Sequence, residues 1–354
     1  MEKTKRKHKV LKVIGIILLA LILIIAVFLC CFAYTNLNFD KNNLKKTYKA
    51  GFEEKQTVLS DGITINYAEG PDNGPALMLI HGQTMCWEDY STVLPGLSET
   101  YHVYAVDCPG HGGSSFDKTK YTCTAAGDEL IEFAGSVIGE HYCVSGLSSG
   151  GILAAYIAAN DSGNVSTAVL EDPPFFSVTP EAMSNTFVWK DGFEIINSYK
   201  NQSQETEYVP YYYAHSYMWT QFGNLADVLS QKASENPDKP LCVWYIPHGW
   251  THGTYYMDTF DLDFGMAFYD GTWIDNALQE EILQNIKCPV VYLKAETAYG
   301  ADGVLYAANT DEESDKVVEL IDNCTRIKLK SGHDIHYEKP KEFIDSFNMV
   351  KDID

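Results

Sequence analysis

The sequence predicts an α/β fold, a mostly parallel β-sheet with helices on both faces, joined to an amino-terminal membrane helix and interrupted by an aromatic-rich insertion. Residues 13–33 form an uncharged, mostly aliphatic run. Short β-rich segments then alternate with helical patterns from 57 to 172 and again from 289 to 350, which is typical of a sheet covered on both faces. Between these stretches, residues 175–275 hold 23 of the 45 aromatic residues.

The apolar run at 13–33 is long enough to cross a bilayer core of about 30 Å as a helix. Residues 1–12 hold six basic residues and one acidic residue. The positive-inside rule therefore predicts a cytoplasmic basic end and a single-pass protein of the cell membrane with its folded part outside. An uncleaved signal-anchor is favoured over a signal peptide, whose apolar region usually spans about 7–15 residues. Polar residues 34–54 are expected to form a stalk.

The chain beyond its basic end is strongly acidic. Of 26 basic and 48 acidic residues, 20 and 47 lie beyond residue 12, which gives this part a net charge near −27. Such a surface repels phosphate backbones, so nucleic-acid binding is not expected and the substrate is expected to be a neutral or cationic small molecule. The seven cysteines beyond the anchor lack metal-site spacing, and neither a structural zinc site nor a dense disulfide framework is predicted.

The strand and helix alternation stops for more than a hundred residues. This break predicts a core made of residues 55–172 and 287–354, with an insertion at 173–286. Within the core, the Asp61-Gly62 dipeptide predicts a hairpin turn and hence an antiparallel edge. The aromatic residues of the insertion can build a small core of their own or line an apolar pocket, and the sequence does not apportion them.

The strongest catalytic signal is G-L-S-S-G at 146–150, between a strand pattern and a helix pattern. In that context G-x-S-x-G is a nucleophile elbow. A side chain on such a sharp turn needs neighbours without Cβ atoms two positions away, which Gly146 and Gly150 provide. Ser148 is therefore the predicted nucleophile. The helix that begins there directs its free N–H groups toward a developing oxyanion.

Four stretches together resemble the lid-containing serine hydrolases of the α/β-hydrolase family. They are L-I-H-G-Q at 79–83, D-C-P-G-H-G-G-S at 107–114, the elbow, and G-H-D-I-H-Y-E-K-P at 332–340. The resemblance implies an eight-stranded sheet with residues 173–286 as a lid, or cap. It also implies an oxyanion hole made by the backbone N–H groups of Gln83 and Ser149.

The resemblance further implies a general base late in the chain. His333 is favoured over His336, which is expected to pack at the start of the following helix. The position where the family usually carries its acid is not acidic in this chain. Asp302, on the same loop, is the favoured replacement, with Asp172 and Glu296 as alternatives.

Two histidines in the insertion, His248 and His252, have the spacing of metal ligands on one helix face. Gly249 and Gly253 argue against a helix at this point. The sequence therefore predicts no metal site and no other cofactor, and the two histidines are expected to line a pocket or lie at the surface.

These residues predict a carboxylesterase- or lipase-like enzyme that cleaves an ester or amide with an apolar portion through an acyl-enzyme on Ser148. An aminopeptidase of the proline-iminopeptidase kind is one alternative. A binding protein that kept the fold without catalysis is another, and the fold alone does not choose among them. Dehalogenases and epoxide hydrolases of this fold use a carboxylate nucleophile, which Ser148 argues against.

Overall fold

A computed structural model describes residues 2–237 and 239–351 of the chain. Residues 1, 238 and 352–354 lie outside this description, and they include the last three residues of the predicted core. Within the described residues, eight strands form one sheet. They are β1 Glu53–Val58, β2 Thr64–Glu69, β3 Ala76–Ile80, β4 His102–Val106, β5 Tyr142–Leu147, β6 Val165–Glu171, β7 Val290–Lys294 and β8 Cys324–Lys328.

The strand order across the sheet is β1-β2-β4-β3-β5-β6-β7-β8. β1 and β2 form an antiparallel hairpin, β2 pairs antiparallel with β4, and the other neighbours are parallel. The hairpin turns at Asp61 and Gly62, where the Asp61 carboxylate accepts from the Ile63 N–H at 3.0 Å. Gly62 has a φ of 94°, a conformation that favours glycine. The predicted eight-stranded, mostly parallel sheet is confirmed.

Helices cover both faces of the sheet and build the insertion. In chain order they are α1 Glu2–Leu37, α2 Phe39–Lys49, α3 Leu94–Leu97, α4 Cys123–Phe133, α5 Ser149–Asn160, α6 Pro180–Met183, α7 Glu194–Gln202, α8 Tyr208–His215, α9 Leu225–Glu235, α10 Leu262–Tyr269, α11 Gln279–Asn285, α12 Asp311–Leu320, α13 Ile335–Glu338 and α14 Pro340–Lys351.

Strand β3 shows how one apolar segment supplies two cores. Successive side chains of a strand point to opposite faces. Leu77 and Leu79 join the core that α14 covers, whereas Met78 and Ile80 join the core that α4 and α5 cover. All four side chains are fully buried. Each such burial stabilises the fold by about 1.5–3 kcal/mol, so the sheet is held from both faces.

Helix α1 is long and apolar enough from His8 to Leu37 to cross a membrane. The most apolar stretch of this helix is not buried against the rest of the protein. Near its end, the Asn36 side-chain amide donates to the Val243 carbonyl at 2.9 Å, and its oxygen accepts from the His248 N–H at 2.6 Å. The end of the apolar helix is therefore attached directly to the insertion.

The expectation that residues 34–54 form a stalk is wrong. Helix α2 packs onto the folded domain and buries the polar side chains of Asp40 and Thr47. Phe52, which is 3% exposed, joins the sheet's core ahead of the predicted start of the fold near Lys55. The sequence of a polar helix resembles that of a solvated linker. The groups that bond its buried polar side chains lie far away along the chain, so the sequence does not reveal them.

The segment between β6 and β7 forms a helical cap that contains α6 to α11. Part of its aromatic content builds a separate core, in which Tyr212, Tyr213 and Trp219 are buried. Asp191 joins the cap helices because its carboxylate accepts from the hydroxyls of Tyr212 and Ser216, each at 2.6 Å. At least part of the aromatic density of the insertion therefore serves its own folding.

Candidate active site

Ser148 lies on the turn between β5 and α5 with φ 57° and ψ −120°, a conformation that residues with a side chain rarely adopt. A Cβ at Gly146 would lie 2.1 Å from the Gly150 carbonyl oxygen, and a Cβ at Gly150 would lie 2.3 Å from the Ile80 carbonyl oxygen. Such strain costs about 1–3 kcal/mol and persists only where the surroundings enforce it. The turn thus has the geometry that the sequence predicts.

The end of β5 lies beside the end of β6. Leu147 is opposite Glu171 in the parallel register, and the Ser148 N–H donates to the Glu171 carbonyl at 2.9 Å. Asp172 follows Glu171 directly, so Ser148 and Asp172 stand at the carboxyl ends of adjacent strands. This edge is where open α/β sheets bind their ligands.

His333 lies between β8 and α13 and contacts this edge. Its Nδ1 is 2.8 Å from Asp172 Oδ2. The Asp172 side chain is fully buried, whereas that of His333 is 36% exposed. The other carboxylate oxygen of Asp172 accepts from the Ala295 N–H at 3.1 Å. The carboxylate is therefore held in one orientation, with Oδ2 directed at the imidazole.

The prediction that Asp302 orients His333 is wrong. Asp302 is exposed, and its carboxylate accepts from the Tyr217 hydroxyl and from the Val304 N–H. Glu296, the third candidate, is also exposed. The loop that follows β7 holds Asp302 against the cap. The spacing of Asp302 from the end of the strand does not show which way the loop turns.

Lys294, at the end of β7, also lies close to Asp172, and this contact was not predicted from the sequence. Its Nζ lies 3.6 Å from Asp172 Oδ1 and donates to the Ala295 carbonyl at 2.8 Å. Lysine is almost never fully buried unless it is paired, and this side chain is fully buried. Lys294 therefore supplies a positive charge next to Asp172. The available signal was a lysine at the end of an otherwise apolar strand.

Two opposing effects determine the proton affinity of His333. Burial by itself lowers the pKa of His333, but the hydrogen bond to Asp172 and the charge of that carboxylate raise it above its usual value. The imidazole is thus a stronger base than a free histidine. An oriented imidazole can take a proton from a neighbouring hydroxyl.

The loop after β3 lies against Ser148. A Cβ at Gly82 would be 3.4 Å from the Ser148 Cβ. Within the described part of the chain, the backbone N–H groups of Gln83 and Ser149 donate to no other protein group. Free N–H groups beside a nucleophile are the donors that stabilise an oxyanion. The two residues that the sequence proposed for this purpose therefore have N–H groups available.

His81 and Asp107 position the loops around this edge. His81 Nδ1 donates to the Gly82 carbonyl at 2.6 Å, and its Nε2 accepts from the Cys108 N–H at 3.0 Å. The Asp107 carboxylate accepts from the Trp87 N–H at 2.6 Å. Both side chains are buried, and their polar atoms are engaged in holding backbone groups.

His336 lies fully buried between two carboxylates. Its Nδ1 is 2.9 Å from Glu171 Oε1, and its Nε2 is 3.3 Å from Asp89 Oδ2. Burial lowers the pKa of His336, but the charges of Glu171 and Asp89 raise it well above its usual value. Both ring nitrogens thus face carboxylates, and His336 acts as a link between β6 and the segment that contains Asp89.

A sequence model of the alpha/beta hydrolase family matches residues 77–346 of this chain. The match covers most of the protein, including nearly all of β3, strands β4 to β8, the cap and the edge described above, and it begins after the β1–β2 hairpin. The protein therefore belongs to the alpha/beta hydrolase family, which confirms the family that the sequence resembles.

Individual relatives differ in their chemistry. A fluoroacetate dehalogenase from Burkholderia sp is 31% identical over 137 residues, which are 37% of this chain and 44% of that protein. A pimeloyl-[acyl-carrier protein] methyl ester esterase from Nitrosomonas europaea is 30% identical over 104 residues, 29% of this chain and 39% of that protein. The chain spans less than half the length of the curated relatives it matches. These similarities support a hydrolase-type family.

A crystal structure of a membrane phospholipase A, described as a novel bacterial virulence factor, aligns with 95% of this chain and 97% of its own. The TM-score is 0.61 and the sequence identity is 20%. At this identity the likeness shows a shared fold.

Proposed function

We propose that the protein is a membrane-anchored serine hydrolase that cleaves an ester bond through an acyl-enzyme on Ser148. The observation that carries the proposal is the contact between His333 and the buried Asp172 at the sheet edge where Ser148 stands on its strained turn. This arrangement has the three parts of a nucleophile, base and orienting acid. Asp172 takes the role for which the sequence favoured Asp302.

In the proposed reaction, Ser148 Oγ attacks the ester carbonyl while His333 Nε2 takes the hydroxyl proton. Asp172 keeps the proton on Nδ1 and stabilises the imidazolium that forms. The N–H groups of Gln83 and Ser149 hold the negative oxygen of the tetrahedral intermediate. His333 then protonates the leaving alcohol, and a water molecule activated by the same imidazole releases the acid.

The proposed substrate is a neutral or cationic ester with an apolar portion. The acidic surface disfavours anionic substrates, and the aromatic-rich cap supplies apolar side chains next to the core. The esterase relative and the phospholipase neighbour act on esters according to their names. Both are consistent with ester cleavage by this chain.

Helix α1 supports the proposed membrane location. It is long and apolar enough to span a bilayer. The likeness to the membrane phospholipase A covers 95% of the chain, so it must include part of this helix. We propose that residues 1–12 lie in the cytoplasm and that the hydrolase domain lies outside, since basic residues flank the amino-terminal end of the apolar run.

Covalent labelling of the full chain tests the nucleophile. A fluorophosphonate probe is expected to label the wild type and Ser149→Ala, but not Ser148→Ala. Ser149→Ala is the matched control because it keeps the backbone N–H and removes only a neighbouring hydroxyl. Labelling of Ser148→Ala, or an unlabelled wild type, would contradict the proposal.

The same preparations test the substrate class. Hydrolysis of p-nitrophenyl esters of increasing chain length is expected, with little hydrolysis of aminoacyl-anilides. A preference for the anilides would instead support an aminopeptidase.

A further inference from the structure

Three buried residues meet where the cap contacts the segment that follows the membrane helix. Asp40 lies in the first turn of α2, three residues after α1 ends, and is 4% exposed. His248 and His252 come from two consecutive 3-10 turns of the cap and are 7% and 2% exposed. None of the three belongs to the proposed catalytic machinery.

These side chains converge on one point. One ligand atom from each of Asp40, His248 and His252 lies within 4.8 Å of the others. Asp40 Oδ2 and His248 Nε2 are 2.5 Å apart. The sequence missed this cluster because its carboxylate comes from a segment that resembles a stalk. Both histidines are buried, so the expected alternative that they lie at the surface is wrong.

His252 Nδ1 provides an independent indication of a missing ligand. It is buried and has no hydrogen-bond partner among the described residues. The other ring nitrogen, Nε2, donates to Asp89 Oδ1 at 2.7 Å. In a neutral ring this donation places the proton on Nε2 and leaves a lone pair on the unpartnered Nδ1. Burying such an acceptor without a partner costs free energy.

The surrounding contacts are those that orient metal-binding histidines. A ligating histidine usually donates its second N–H to a carboxylate or another oxygen. Asp89 takes this role for His252. For His248, the Tyr337 hydroxyl lies 2.9 Å from Nδ1 and leaves Nε2 for the cluster. Each ring is thus held through one nitrogen by a residue outside the cluster, and its other nitrogen is left as a candidate ligand atom.

We propose that Asp40, His248 and His252 bind one divalent transition-metal ion of the zinc class. Two imidazoles and one carboxylate match the ligands that zinc prefers, which it binds at about 2.0–2.2 Å, and zinc sites with three protein ligands take a water as the fourth. Calcium and magnesium prefer oxygen ligands throughout, which two histidines do not supply. An ion bound by both residues would replace the direct hydrogen bond that now joins Asp40 and His248 at 2.5 Å.

The bound ion would link the cap to the segment that directly follows the membrane helix. Asn36 already bonds the cap through the Val243 carbonyl and the His248 N–H. The ion adds a second link one helical turn further along, through Asp40. It therefore sets the position of the cap relative to the membrane helix.

The test uses the full chain in detergent micelles, stripped with a chelator and then exposed to Zn²⁺ or Ca²⁺. After desalting, elemental analysis is expected to find about one zinc per wild-type chain and no calcium. Asp40→Asn keeps the size of the side chain and removes its charge, and it is expected to weaken zinc binding at least about tenfold. His215→Gln, a cap histidine outside the cluster, is the matched control and is expected to bind as the wild type does.

A second measurement separates ligand loss from misfolding. Zinc is expected to raise the thermal unfolding midpoint of the wild type and of His215→Gln but not of Asp40→Asn. Circular dichroism shows whether Asp40→Asn is folded. If it is not, His252→Gln, which keeps a donor for Asp89, replaces it. A wild type that retains no zinc, or equal zinc retention in a folded cluster variant, would overturn the proposal.

Discussion

Two histidines three residues apart, His333 and His336, both contact carboxylates at the end of β6, yet their surroundings differ. His333 bonds Asp172 through Nδ1 and is 36% exposed. His336 is fully buried and has a carboxylate at each ring nitrogen, Glu171 at one and Asp89 at the other. A histidine held on one side can exchange a proton with a substrate or solvent, whereas one held on both sides is a structural link. The comparison indicates that pairing with a carboxylate does not by itself distinguish the two histidines. They differ in burial and in whether one ring nitrogen is left without a carboxylate partner.

The largest expected effect comes from the carboxylate that orients His333. Asp172→Asn keeps the size of the side chain but removes the charge that fixes the imidazole, so kcat is expected to fall about 10⁴-fold. The rate of p-nitrophenyl ester hydrolysis measures this change.

Asp302→Asn is the matched control for Asp172→Asn. Because Asp302 is exposed and bonds Tyr217, its replacement is expected to change kcat by less than about threefold, as surface substitutions usually do. A severe loss with Asp302→Asn and full activity with Asp172→Asn would reverse the assignment of the acid.

The free energy of unfolding is expected to depend more on His336 than on His333. His336→Gln leaves Glu171 buried without a positive partner and removes one of the two histidines that face Asp89, which is expected to cost about 3–5 kcal/mol of unfolding free energy. His333→Gln is expected to cost less than His336→Gln, because the buried Asp172 keeps Lys294 at 3.6 Å and the Ala295 N–H at 3.1 Å. Urea unfolding followed by tryptophan fluorescence measures both. Equal losses would mean that His333 is also a structural link.

The smallest expected effect is a shift in the pH profile. Asp172 raises the pKa of His333 above its usual value, near 6.5 in unperturbed peptides. The neutral base is therefore populated only as pH rises through this raised pKa, and kcat/KM is expected to reach half its maximum above about pH 6.5. Residual activity of Asp172→Asn should have its midpoint at lower pH. An unchanged midpoint would show that Asp172 does not act on the base.

Much of the fold could be predicted because its signals are local. The alternation of strand and helix patterns predicts the sheet, and the Asp61-Gly62 pair predicts the hairpin. G-x-S-x-G predicts the turn at Ser148, since its glycines are required by contacts within the same turn or with the adjacent strand. Periodicity and close steric limits act over a few residues, so they are visible in the sequence.

The partners in space could not be predicted in the same way. Asp172 and Asp302 both follow strands near the site, and only the adjacency of β5 and β6 places Asp172 beside Ser148 and His333. Asp40 meets His248 across more than 200 residues of chain. The spacing of residues along the sequence carries no information about such long-range contacts.

The sequence by itself determined the fold class, the apolar amino-terminal helix, the strained turn that carries Ser148 and the position of His333 late in the chain. These features depend on composition, periodicity and steric limits within short segments. The tertiary structure decided which carboxylate contacts His333, that α2 packs on the domain, and that Asp40 joins two cap histidines. Each of these depends on how strands and helices from distant parts of the chain pack together, because buried charges require partners that only the folded chain brings near.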